Sequence, residues 1–359
     1  MAGGAAGAPR GKVRLARLTD LAALAELSRL CQARDVATRS LGLPLTGPPI
    51  GMFNLFRLPL GAFRPHDLLY VFEGDGGLAG LLRVERDAVR DEWTIVELDA
   101  IGQGEAGDIR YRLVQHLLRD GQKRGAARFH VACADADGNV DLFMQAGFAR
   151  YGDERILVRP ETLELPDPTP DDEARDAGIR PAQPTDAIAL SRLHASATPQ
   201  PVQRLEMVRL PDWERQGQHW RVPRSSLAPI LRFADVEAFV QAAPDGGPDG
   251  TQLDAFAQIG VAKEDQPHYL KLIVRPGADQ ERTAQFARFA LGAICGRLEK
   301  GPRSGGHERP VVAPVRTYES PVDRRLEDEG FETAATVTLL MKETLVRVAE
   351  PALVPAGVR

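Results

Sequence analysis

Cysteine is scarce in this chain: Cys31, Cys133 and Cys295 are the only three in 359 residues. They lie far apart and form no CxxC pair, so neither a disulfide framework nor a zinc site is expected. The seven histidines show no HxH or HxxxH spacing, which again argues against a metal. No GxSxG elbow is present. Charge of one sign is also missing. With 45 basic residues against 50 acidic ones the net charge is −5, so there is no general basic face for nucleic acid. Only six of the 45 basic residues are lysine. No apolar run approaches the roughly 18 residues of a membrane span. The opening MAGGAAGAPRGK carries no apolar signal core. These absences lead us to expect a cytoplasmic protein with no membrane and no nucleic-acid partner.

What is present is a core and a repeat. Hydrophobic residues make up 43% and charged residues 26%, enough to bury a core. The length suits about two domains. Val13–Leu24 reads VRLARLTDLAAL and Ile179–Leu190 reads IRPAQPTDAIAL. Arg14 matches Arg180, Ala16 matches Ala182, and Thr19-Asp20 match Thr185-Asp186, at a constant offset of 166. A second echo pairs FMQAGF (143–148) with LEDEGF (326–331) at an offset of 183. Residues 160–178 between the copies hold four prolines and seven acidic residues, a linker composition. The reading is two homologous domains, 12–160 and 178–348, joined by an acidic, proline-rich linker over 161–177.

Each copy opens with a strand ending at Thr-Asp, a helix N-cap signal. Leu21, Leu24, Leu27 and Leu30 then mark a helix. Strands are expected over 68–73, 78–86 and 92–101, with GDGG at 74–77 as a hairpin turn. A helix over 109–123, a strand over 129–133, a short helix into AGF and a strand over 155–158 follow. The second copy gives strands over 253–262, 269–274, 311–315 and 333–341, with helices over 281–299 and 321–329. The fold class is a mixed α/β (α+β) sheet, twice. On strand four, alternation would put Trp93, Ile95, Glu97 and Asp99 on one face.

This order resembles the GCN5-related N-acetyltransferase (GNAT) fold in two tandem copies, over most of the chain. FMQAGF and LEDEGF resemble that family's Tyr-x-x-x-Gly-Phe segment, and VRP at 274–276 its Val-x-Pro exit from strand four. The resemblance implies an acyl-CoA-dependent N-acetyltransferase, with acetyl-CoA as donor and a small-molecule or peptide amine as acceptor. It implies a cofactor cradle at the strand-four exit, where free N–H groups and the helix dipole favour an anion. Alignment on the helix leucines puts EAGDIR (105–110) there, with Asp108 and Arg110 at glycine positions. A one-turn shift instead uses GQGEAG (102–107) as an anion nest. The cradle residues are then Ile101, Gly102, Gln103, Gly104 and Gly107 in the first copy, and Val274, Arg282 and Thr283 in the second. The more glycine-rich loop favours the first copy. Glu97 on strand four is the candidate general base. The family's tyrosine acid is replaced by Phe143 and Leu326, with Tyr318 as a spatial substitute. The stretch 52–60 and the region 200–233, with Trp213 and Trp220, would wall the acceptor site. The copies would pack as a pseudo-dimer within a monomer, or the chain would form a homodimer. The competing reading is a duplicated fold that has lost its cofactor and serves as a binding module. GQGEAG also fits a dinucleotide fingerprint, but the flanking strands form a meander and the partner acid is not at the expected spacing.

Overall fold

The computed structural model describes residues 10–31, 67–87, 90–102, 105–135, 138–214, 225–227, 231, 233–246, 251–262, 266–300 and 309–344. Residues 52–60, Gln103, Gly104 and Trp220 lie outside them. The first copy runs β1 (Gly11–Leu15), α1 (Leu21–Cys31), β2 (Asp67–Gly74), β3 (Gly77–Arg86), β4 (Glu92–Ala100), α2 (Ala106–Lys123), β5 (Arg128–Cys133), α3 (Asn139–Gln145) and β6 (Ala149–Arg159). A short helix α4 (Asp171–Asp176) lies within the expected linker. The second copy runs β7 (Ile179–Pro181), α5 (Ala187–Ala197), α6 (Gln200–Glu206), α7 (Leu210–Glu214), β8 (Phe233–Ala242), β9 (Leu253–Ala262), β10 (His268–Val274), α8 (Gln280–Lys300), β11 (Val311–Arg316), α9 (Ser320–Asp328) and β12 (Glu332–Glu343).

All these strands join one mixed sheet in the order β1-β2-β3-β4-β5-β12-β6-β11-β10-β9-β8-β7. The two copies exchange their last strands. β12 of the second copy pairs with β5 and β6 of the first, while β6 pairs with β11 of the second. Neither copy therefore closes its sheet alone. Helices cover both faces. α2 and α3 pack on one face of the first copy through Leu113, Leu117 and Phe143, against Leu82, Leu98 and Phe129. α1 covers the other face through Leu24 and Leu27. In the second copy α8 and α9 pack through Phe286, Leu291 and Leu326, and α5 and α7 through Leu190 and Trp213.

The sequence echoes have physical causes. Arg14 forks onto Asp20 (2.6 and 2.9 Å), and Arg180 onto Asp186 (2.7 and 2.6 Å). Each aspartate also accepts the backbone N–H three residues earlier, Arg17 or Gln183, at 2.7 Å. The Thr-Asp pair is thus not the expected N-cap. The carboxylate locks a 3₁₀ turn back onto the strand. Hydrogen bonding to Arg14 holds the Asp20 carboxyl below its usual range.

The Gly-Phe echoes are helix stops. Gly147 and Gly330 sit at φ +86° and +85°. The Phe148 N–H reaches Phe143 O, and the Phe331 N–H reaches Leu326 O, both at 3.0 Å. This is the Schellman bond, five residues back, with its accompanying apolar contact. The Phe143 and Phe148 rings meet edge to face at 5.4 Å.

Candidate active site

The sheet opens twice, once per copy. β4 and β5 pair in parallel only from Glu92↔Arg128 to Ile95↔Val131, and then diverge. β10 and β11 pair only at His268↔Val311 and Tyr269↔Val312. Each divergence leaves a V-shaped gap between the two strands, and a helix, α2 or α8, begins beyond its mouth.

The two gaps differ at the base. In the first, β3 pairs Arg83 with Glu97 and Val84 with Ile95, so Val96 is an extra residue without a β3 partner. This bulge falls where the β5 ladder also ends. It corrects the expected alternation. Trp93 and Ile95 face α2 together with Leu98 and Ala100, while the bulge turns Glu97 and Asp99 to the opposite face. In the second gap, β9 and β10 pair without interruption from Tyr269 to Val274. Lys271 faces Gln258 there as Glu97 faces Arg83 in the first copy.

Glu97 is fully buried, with Arg83 at 3.7 Å. A small cavity lies at the base of the first gap, lined in part by Thr94, Val96, His130 and Tyr151. Ser225 and Ser226 of the second copy complete its wall. At the mouth of this gap Ile101 donates its N–H to Ala79 O. Gly102 takes φ +131°, and a Cβ on Gly107 would meet nothing within 4 Å. The backbone is therefore open to close approach there.

The second gap opens onto a cavity of about 250 Å³ lined by Val274, Arg275, Thr283, Ser320, Arg324 and Arg325, among others. Arg282 is directed elsewhere. Its guanidinium donates to Ala177 O (3.1 Å) and Ala242 O (2.8 Å). Asp279 accepts the Arg282 N–H at the start of α8. Deeper in, Lys271 donates to Pro314 O (3.1 Å) and Glu319 Oε2 (2.7 Å).

Behind this pair lies a buried ionic network. Arg316 pairs with Glu206 (2.8 Å) and Glu154 (3.2 Å), and Glu154 also accepts from Ser226. Burial opposes the Arg316 charge, but Glu206 and Glu154 outweigh it and hold the guanidinium ionised. Tyr318 stands beside this network, hydrogen-bonded to Thr198, and burial pushes its hydroxyl well above the usual tyrosine range. It is a proton donor at most. Lys271, Arg316, Glu154 and Glu206 were not singled out from sequence. The signal available was Lys271, the one charge inside the apolar strand HYLKLIV.

His194 lies 3.8 Å from Glu206, and burial pushes its imidazole down to about 4. In the unfolded chain it titrates near 6.5. The folded state then binds fewer protons, so this contribution to stability is full above about pH 6.5. It falls as pH drops toward 4, by up to about 1.4 kcal/mol per pH unit. Urea midpoints of wild type and His194→Gln are expected to converge as pH falls from 7 to 4.5. Parallel slopes would remove His194 as the cause.

The other titratable candidates have structural roles. Burial pushes the Cys133 thiol up to about 12, consistent with an inert core thiol. Among the described residues no His, Cys, Asp and Glu cluster suits a metal, and no helix is long and apolar enough to cross a membrane.

Comparison with solved structures agrees with this architecture. A tandem GNAT protein from the clavulanic acid biosynthesis pathway superposes with a TM-score of 0.52 at 13% identity, covering 93% of this chain and 98% of that one. A GCN5-related N-acetyltransferase from Sphaerobacter thermophilus gives 0.51 at 16% identity, covering 93% and 95%. No protein-family model matches the sequence, and no curated protein matches it. The chain has the tandem GNAT fold.

Proposed function

We propose that the protein is an acyl-CoA-dependent N-acetyltransferase acting on an amine of a small molecule or peptide, with transfer in the first gap. The observation that carries this reading is the Val96 bulge. It lacks a β3 partner at the point where the β5 ladder ends, beside a cavity. In this reading the backbone that the bulge takes out of the β3 ladder supplies the N–H groups that polarise a thioester carbonyl as an amine attacks it. The C–N bond forms, the C–S bond breaks, and Glu97 takes the amine proton directly or through a water. The open backbone at Gly102 and Gly107 gives the donor's phosphates room at the start of α2, where the helix dipole favours an anion.

Thiol release from acetyl-CoA with a panel of amines tests this. Glu97→Gln is expected to lower kcat by about 10²–10⁴-fold with little change in KM for acetyl-CoA. An unchanged kcat would remove Glu97 from the role. A second reading, a duplicated fold without transfer activity, draws on Phe143 and Leu326. Both are fully buried core residues where the family's tyrosine acid stands. Absence of any heat at millimolar acetyl-CoA would favour it.

A further inference from the structure

The second gap is closed by a side chain of its own strand. Lys271 lies two residues past Tyr269, the last residue of β10 to pair with β11, and its amine reaches Pro314 O on the far lip of the gap. It is 1% exposed, so its cation is committed to this position. Glu319 fixes the amine from the far side and is itself held by the Arg316 N–H at 2.8 Å. Two polar groups of the β11 lip, Pro314 O and Arg316 N–H, are therefore already engaged. The uninterrupted β9–β10 ladder adds no bulge to free an amide there.

We propose that Lys271 excludes a pantetheine arm from the second gap, so that the protein binds one acyl-CoA and not two. An arm could enter only by displacing a buried ammonium from its carboxylate and leaving both uncompensated in a low-dielectric interior. The cavity at the mouth of this gap is lined by Arg275, Arg324 and Arg325 among others, and its lining reaches Ser320, next to Glu319. The same strand position thus has opposite roles in the two copies. It carries a carboxylate, Glu97, beside the gap that transfers, and an ammonium across the gap that does not. This inference rests on the transfer reading for the occupant of the first gap, and on its own geometry for the second.

Calorimetric titration of the full chain with acetyl-CoA tests it. Wild type is expected to bind one equivalent. The double variant Lys271→Met with Glu319→Gln removes both charges together, leaves neither orphaned, and is expected to bind two. Lys271→Arg, which can still cross the gap, is expected to stay at one. Lys271→Gln, too short to reach Pro314, is a second opening variant should the double variant not fold. Two equivalents in wild type would overturn the inference, as would an unchanged count in a folded opening variant. No binding in wild type with one equivalent in the opened variant would sink the first-gap reading and leave the crossing standing. No binding in either would overturn both.

Discussion

Cutting the backbone between the two copies is expected to leave them together. A protease site inserted after Glu161 falls in an exposed stretch, and cleavage there should yield two fragments that elute as one species in native buffer. The reason is strand exchange. The C-terminal fragment contributes β12, which pairs with Arg128–Cys133 of β5 on one side and with β6 on the other. The N-terminal fragment contributes β6, which pairs with β11 over residues 154–159. Separation would strip three ladders from the centre of the sheet and expose Ile156, Val312, Val337 and Leu339, all buried. Unpaired strand edges and fresh apolar surface are both costly in water. Dissociation should require denaturant, and either fragment expressed alone should fail to form a folded monomer. Fragments that part in native buffer would refute the exchanged topology.

Arg316→Met is expected to destabilise the protein by about 3–5 kcal/mol, because it leaves Glu154 and Glu206 buried without their common cation. At about 2–4 °C per kcal/mol for a large domain, the melting temperature should fall by roughly 10 °C. The sharper test is rescue. Replacing the whole triad, Arg316→Met with Glu154→Gln and Glu206→Gln, removes the orphaned charges along with the cation. It should recover most of the loss, since apolar or neutral replacements of entire buried ion networks are often close to neutral. A triple variant no better than Arg316→Met would mean that the guanidinium acts chiefly through packing, for example over the Tyr151 ring 5.9 Å away.

Much of the fold was legible because repetition doubles every weak signal. Leu21, Leu24 and Leu27 mark α1, and the GDGG turn joins β2 to β3 through the Gly74↔Gly77 pair. β8 (FADVEAFVQA) is hard to read from sequence because the consecutive apolar Ala238, Phe239 and Val240 break its alternation. The short helices α6 and α7 likewise have too few residues for a periodic pattern. Strand exchange leaves no local trace, since β6 and β12 read the same whichever neighbour they pair with. The bulge at Val96 was also invisible. One extra residue inverts every later side chain on the strand, and only the partner's register reveals it. Lys271 and Glu319 are 48 residues apart, so their meeting across the gap depends on tertiary structure alone.

The central position of β12 also bears on how the molecule is made. β5 ends at Cys133 and its neighbour does not begin until Glu332. At roughly 5–20 residues per second on the ribosome, the first half waits about 10–40 s with an open flank. Until then its exposed edge is a target for chaperones and for other nascent chains, so the yield of native protein should depend on translation speed through the second copy.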